Sequence, residues 1–518
     1  MNKGYRVEQY SKSLLCDILS INTPKKVIEN KKQFDCLCNY LEFLDVKTIV
    51  IEFEYIDRDF LDDYAGYYVR CFKEYEKKCI RLHFFNINFD EKKFEDVLSG
   101  DSEDFSSHQL QNSYKGFSVI KPLPRTIIGR TCLATYPHDG FRRHYPVTRK
   151  YDINLFGINL YINSLAFQEQ DAVVSACATS ALWSTLQGTG TLFQHNIPSP
   201  MEITTTATQT IEYRPPQTRL IPNPGLTIDQ MAQAIKQFQL DPLIISAIDE
   251  QILKGHVYAY INSGLPLLLC INIYNKGKEE LELYSAHAIT LTGYSLGCSQ
   301  ANPWNNCLLE SSKIDELYAH DDNVGPFSKI GINLEKVDPQ NPNKDYPILD
   351  IETKKSNQVI IPSEVIIPLY HKIRIPYNYI FNVVFGFDRI LKVFQTNNFI
   401  NLPENLTWDI YLTTINKYKT ELFNSQEINN ETKRLILTKR LPRFLWKATA
   451  FSANETIFEF LFDATDIQQA DAAVNGYVHD DNLLNQIKAP LDEDFIQEEF
   501  INVPHWQIIK WFREQNYQ

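Results

Sequence analysis

The sequence predicts an α+β protein built from more than one core. Three observations carry that expectation. At 518 residues the chain exceeds what a single hydrophobic core serves, so two or three domains are expected. Segments with apolar residues at three- and four-residue steps, the helical pattern, mix along the chain with short apolar runs bounded by turn residues, the strand pattern. The composition, 44% apolar and 22% charged with 28 Tyr and 31 Phe, is that of a packed globular protein.

The N-terminal region, residues 1–112, reads as a small α/β domain. Residues 46–53 form a strand and residues 80–85 the next one. Between them, 57–78 is expected to be a helix whose apolar stripe is Phe60, Leu61, Tyr64, Tyr67, Tyr68, Cys71 and Tyr75. Strand, helix, strand suggests a parallel βαβ unit. No glycine-rich phosphate loop follows the first strand, so a nucleotide site is rejected and a docking or scaffolding role expected. Residues 86–112 are polar and acidic and read as a linker.

From residue 114 the chain turns β-rich, with strands expected at 127–133 and 151–156. A hairpin over 151–167 delivers the chain to Gln170. Residues 199–204 read as a capped turn. Thr227 to Gln230 is a capping box for a helix that buries Met231, Ala234, Ile235 and Phe238. Residues 265–273 and 284–294 are strands joined by a polar loop over 275–280, and 317–323 is a short strand ending in acids. The remaining region, 346–518, is α+β, with helices at 375–395 and 407–423, a strand at 457–463 and a terminal helix at 505–512 whose Trp residues dock on the body or a partner.

One stretch carries chemistry. Cys177 sits among small residues at the head of a helical pattern, with Ser175 placed as its N-cap. The partial positive charge of a helix N-terminus favours a thiolate nucleophile. Gln170, seven residues upstream, can offer a side-chain N–H to an oxyanion. A cysteine on an Ala-rich helix is more commonly core filler, so the case depends on a base and an orienting acid. His287 opens a strand between two alanines, and Asp321 ends the following strand, with Asp322 its neighbour and rival.

Taken together, Gln170, the run Cys177-Ala178 to Trp183, the strand 264–269 and the run His287 to Tyr294 resemble papain-like cysteine peptidases. The resemblance is closest to the bacterial branch containing the leader peptidases that process bacteriocin precursors, and covers about residues 150–335. It implies a papain-like cysteine peptidase domain over 113–345, flanked by the N-terminal α/β domain (1–112) and a C-terminal α+β domain of unknown role (346–518). By position it makes Cys177 the nucleophile, His287 the general base, Gln170 the oxyanion-hole residue and Asp321 the acid that orients the imidazole. Gln168 stays open beside Gln170, and Asp322 beside Asp321. The implied activity is hydrolysis of a peptide bond in a protein or leader-like peptide through a thioester. Deamidation, transglutaminase-like acyl transfer or a silent adaptor role are the alternatives. The flanking domains would select the substrate or meet a regulatory partner.

Other classes are disfavoured. A net charge of −13 disfavours a large nucleic-acid surface, since phosphate contacts need clustered Lys and Arg. The ten cysteines are scattered without a CxxC, which suggests reduced thiols and a cytoplasmic protein. Cys298 and Cys307 bracket one loop, but a metal site there is not expected. Residues 318–323 (Tyr-Ala-His-Asp-Asp-Asn) nearly recur at 477–482 (Tyr-Val-His-Asp-Asp-Asn), again without accompanying ligands. Neither metal nor cofactor is expected. No apolar run approaches the roughly 20 residues that span a bilayer, and the N-terminus has no secretory pattern.

Overall fold

The computed structural model describes residues 3–100, 105–125, 127–137, 139, 142–171, 176–208, 225–277, 280–297, 301, 303–304, 306–402, 406–425, 428, 430–453, 455–467, 471–491 and 503–514. The fold is α+β. Its contacts divide the chain into two compact units. The first comprises Met1–Asp249, Gly264–Ser295 and Asp315–Pro368; the second comprises Glu250–Ser263, Leu296–Ile314 and Leu369–Gln518. These units do not coincide with the 1–112, 113–345 and 346–518 borders read from the sequence.

In the first unit, strands β1 (Tyr5–Gln9), β2 (Thr48–Tyr55), β3 (Cys79–Phe85), β4 (Tyr114–Ile120) and β5 (Ile128–Leu133) form one sheet in that order. The sheet therefore runs across residue 112. Every neighbouring pair is antiparallel, which corrects the parallel βαβ expectation. The reason lies between β2 and β3. The helix there spans only Arg58–Gly66, followed by a 3-10 turn at Tyr68–Arg70. The aromatic stripe is satisfied by ring contacts instead of a helix face, with Tyr68 edge-on to Tyr67 and to Tyr75 at 5.4 Å. The chain can then return beside β2. The expected linker also contains helices, Glu91–Ser99 and Ser107–Ser113. Their signals are local: an Asp90 N-cap and a left-handed Gly100 for the first, a Ser106–Gln109 capping box for the second.

Both faces of this sheet are buried. Ile49 and Ile51 pack with the helices Lys12–Leu19 and Lys32–Phe43, while Val50 faces the opposite core with Phe117 and Val119. The β2 run is apolar without alternation for this reason. After the short strand β6 (Arg143–His144), β7 (Arg149–Leu155) and β8 (Ile158–Ser164) form the expected hairpin, burying Ile153, Leu155, Leu160 and Ile162.

The second sheet uses β9 (Leu240–Ser246), β10 (Leu267–Lys276) and β11 (Leu281–Leu296). The short β12 (Pro303–Trp304) and β13 (Cys307–Leu309) belong to the other unit. The sheet continues with β14 (Ile314–Asp321), β15 (Gly325–Glu335), β16 (Tyr346–Asp350) and β17 (Gln358–Tyr370), in the order β16-β15-β14-β11-β10-β17-β9, with β6 beside β11.

The helix Cys177–Phe193 packs on this sheet. Thr290 of β11 donates its hydroxyl to the Ala181 carbonyl at 2.6 Å. Trp183 on another face donates Nε1–H to Asp59 at 3.0 Å, joining this helix to the helix Arg58–Gly66. Helix and strand approach closely at Gly188, where a Cβ would meet Pro266 at 2.6 Å. Gly188→Val is expected to destabilise the protein by about 1–3 kcal/mol, the usual cost of overpacking. A thermal midpoint equal to wild type would contradict that packing.

The second unit holds the sheet β12-β13 followed by β18 (Thr407–Thr414), β19 (Phe444–Ser452), β20 (Glu455–Asp463) and β21 (Ala473–Val478). The helix expected over 407–423 is two elements, strand β18 and helix Ile415–Asn424. Trp408, Ile410 and Leu412 are buried at every second position, and Thr414 caps the helix by accepting from Lys417 N–H. The helix Tyr377–Thr396 and the terminal helix Trp506–Glu514 pack here, with Trp511 edge-on to Phe460 at 5.7 Å. Among the described residues no helix is long and apolar enough to cross a membrane.

Candidate active site

Cys177 is the first residue of its helix. Ala176 occupies the N-cap position with extended backbone and makes no side-chain cap. The Ser175 expected there lies outside the described residues. No acidic residue stands in the first turn, so nothing on the helix offsets its N-terminal partial charge. The Cys177 side chain is half-buried.

His287 comes from β11, opposite Ile271 of β10. Its side chain is 8% exposed. Nε2 lies 2.9 Å from Asp321 Oδ1 and 3.6 Å from Asp322 Oδ1, and the Cys177 side chain is a further partner that favours the charged ring. With Nε2 directed at the acids, Nδ1 is the nitrogen left for the thiol. Burial opposes a charged ring. The charge and hydrogen bond of Asp321, the Cys177 side chain and the charge of Asp322 outweigh it and hold the imidazolium well above the usual histidine range.

The acids arrive by a local irregularity. The register between β14 and β15 shifts between Ala319 and Asp321. His320 turns into the interior, where its Nε2 donates to the Leu165 carbonyl at 2.9 Å. Asp321 then ends the strand and starts an Asx turn, its Oδ1 accepting from Asn323 N–H at 2.9 Å. Within that turn Asp322 also reaches the ring. Both acids are buried, at 1% and 4% exposure, so neither is a solvated surface charge. The Asp322 carboxyl is pushed up to about 7 by burial, against the pull of His287 and with the charge of Asp321 adding. Its Oδ2 has no hydrogen-bond partner among the described residues. Asp321 holds the direct bond and fits the orienting role; Asp322 is a second acid on the same ring.

The raised Asp322 carboxyl has a thermodynamic consequence. In the unfolded chain an Asp titrates near 3.9, so between about pH 4 and about pH 7 the folded protein binds the extra proton and stability falls as pH rises. Asp322→Asn removes that slope. Denaturation of both proteins across this window is expected to show the variant gaining on wild type as pH rises. Parallel curves would contradict it.

Gln170 joins the same network. Its Nε2 donates to Asn323 Oδ1 at 3.4 Å, and Asn323 Nδ2 lies 3.3 Å from His287 Nε2. An imidazolium presents N–H there and cannot accept. That single N–H is donated to Asp321 Oδ1, so the Asn323 amide stands beside the ring as a contact and keeps its bond from Gln170. Gln168 is also buried, with an unpartnered Nε2, but no bond ties it to His287. Asn323 is the site residue that sequence reasoning passed over. Its signal was Asp-Asp-Asn before Gly325, an Asx-turn pattern.

Ligand atoms of His287, Asp321 and Asp322 lie within 4.8 Å of one another, a spacing that would admit a cation. A protonated ring hydrogen-bonded to Asp321 suits this spacing without one. The near-copy at 477–482 is placed differently: His479 stands edge-on to Tyr477 at 4.6 Å, and Asp480 accepts from Asn482 N–H at 2.9 Å at the start of helix Asp481–Leu491. Cys298 lies outside the described residues, and Cys307 is a buried free thiol.

Comparison with protein families, with curated proteins and with solved structures found no match.

Proposed function

We propose that this protein is a papain-like cysteine peptidase that cuts a peptide bond in a protein or leader-like peptide. The observation that carries the reading is one cluster: Cys177 as a charge-stabilising partner of the His287 ring, and His287 Nε2 bonded to Asp321 Oδ1 at 2.9 Å. Residues 110 and 34 positions apart come together in the order nucleophile, base and orienter, which supports the reading. A nucleophile at a helix start, against an antiparallel sheet that carries the base, supports the papain-like design.

In the proposed cycle the ring holds the proton and Cys177 attacks as the thiolate. A C–S bond forms, and the carbonyl π electrons move to oxygen. The Cys177 backbone N–H and the Gln170 side chain stabilise that oxyanion. The C–N bond breaks as His287 Nδ1 protonates the leaving amine. Water, giving its proton to the same nitrogen, then attacks the thioester, and cleavage of the C–S bond restores the thiolate. All nine described cysteines are free, which suits a reducing, cytoplasmic setting.

The experiment is intact-mass analysis of candidate bacterial proteins and peptides incubated with wild type and with Cys177→Ala. Two fragments summing to substrate plus water, formed only by wild type, support the peptidase. A gain of about 1 Da without cleavage assigns the centre to deamidation. No product and no Cys177-dependent change overturns an enzymatic role.

A further inference from the structure

Strand β10 packs against the helix that begins at Cys177. Side chains alternate on a strand, so residues 268, 270, 272 and 274 share one face. Cys270, on that face, belongs to the same core cluster as Ala178 and Ala181 of that helix. Its thiol is pushed up to about 12 by burial, with the charges of Glu364 and then Cys177 adding. At roughly 3.3 Å per residue, Asn272 and Tyr274 lie about 7 and 14 Å further along the same face. They line a cavity of about 250 Å³. Ser363 of β17 also lines it and donates its hydroxyl to the Cys270 carbonyl at 3.2 Å, so the cavity begins one residue from the nucleophile's neighbour.

The chemistry of the cavity is one-sided. Its walls include the rings of Tyr274 and Tyr346 and the side chain of Ile361. Two carboxylates, Glu280 and Asp338, also line it, and among the described lining residues there is no Lys, Arg or His. Asp338 is held below the usual carboxylate range by hydrogen bonds, first from the Asn341 amide, then from Gln340 N–H and Tyr346 O–H. It therefore stays anionic across the physiological range. Lys344 Nζ stands 4.7 Å from the centroid of the Tyr346 ring, so one of the lining rings already receives an ammonium. Leu283 and Tyr284, on the β11 segment that follows Leu281, are 61% and 59% exposed, an apolar approach of the kind that marks binding surfaces.

We propose that this cavity is the substrate-selecting subsite of the Cys177 centre and takes a Lys or Arg side chain of an extended peptide. The residue it takes would stand two to four positions from the bond that is cut, since an extended chain covers about 7 to 14 Å in that length. The aliphatic stem lies on Ile361 and the tyrosine rings, and the cationic head meets Glu280 and Asp338. The proposal rests on the peptidase reading above for its substrate, but not for its binding chemistry.

The test separates the two. Cys177→Ala protein is titrated with a fluorescein-labelled lysine/leucine octapeptide and with the glutamate/leucine counterpart, followed by anisotropy. The cationic peptide is expected to bind at least about tenfold more tightly, the effect of one or two charge-assisted bonds. Adding Glu280→Gln and Asp338→Asn is expected to bring the two affinities within about twofold. Glu280→Gln alone, which leaves the Asp338 turn intact, should give part of that loss. In parallel, wild type is offered a random octapeptide library and the products are sequenced. Lys or Arg is expected at one fixed position two to four residues from the cut, and the double variant should lose that enrichment. If wild type cuts nothing but the acids govern binding, the subsite stands and the peptidase reading fails. If peptides are cut with no basic preference, or the preference survives the double variant, the subsite is overturned and the peptidase stands. No cationic preference in either assay also overturns it.

Discussion

His287→Ala is expected to abolish the proposed turnover and also to weaken the fold, the second loss depending on pH. The ring is the positive partner of two carboxylates, Asp321 at 1% and Asp322 at 4% exposure. Removing it leaves both buried without a counter-charge. Breaking a buried ion pair from one side costs about 3–5 kcal/mol. The sign follows from the ring itself. A histidine held above its unfolded value contributes stability that is fully present below about pH 6.5 and is lost as pH rises through the folded value. Urea denaturation at pH 5 and pH 8 is therefore expected to show a larger deficit at pH 5, where the ring's contribution is fully present. A deficit independent of pH would mean that His287 is a packed residue and not the cation of this cluster.

Cys177→Ala separates chemistry from folding. Turnover is expected to fall by about 10⁴-fold or more, as when a nucleophile is removed from a catalytic set that acts as a unit. Stability is expected to change by less than about 1 kcal/mol, because the side chain is half-buried and alanine suits a helix start. The pair of variants is informative together. One loses activity alone, and the other loses activity and stability. Full turnover by Cys177→Ala on any cleaved substrate would end the peptidase reading.

Much of this arrangement was legible in the sequence because its signals are local. The Thr227–Gln230 capping box forms as expected, with both reciprocal bonds. The nucleophile helix and the His287 strand follow from small residues at one end and apolar runs behind them. Where the sequence misled, two periods competed. In residues 407–423 an alternating run, Trp408, Ile410 and Leu412, passes directly into a helical one, Tyr418 and Leu422, and the join at Thr414 is a cap rather than a continuation. The aromatic stripe after Asp57 matched a helix, but ring-to-ring contacts met the same need in a turn. The acids could not be ranked from sequence. Strand alternation would turn only one of two consecutive residues towards the ring, but the shifted register at His320 and the turn after Asp321 bring both to it. Asn323 was invisible because its partner Gln170 stands 153 residues earlier.

The central claim is that Cys177 and His287 act as a pair, and iodoacetamide labelling resolved by peptide mass tests it most directly. Burial pushes the thiols of Cys36, Cys79, Cys132 and Cys270 up to about 12 and that of Cys38 up to about 11, so at pH 6 they supply almost no reactive thiolate. At Cys177 an imidazolium and a helix start both stabilise negative charge on sulfur as the new bond forms. Wild type at pH 6 is expected to label Cys177 at least about tenfold faster than these five, and His287→Ala is expected to lose most of that advantage. Labelling of Cys177 at the rate of the buried thiols, or a rate unchanged by His287→Ala, would contradict the pair.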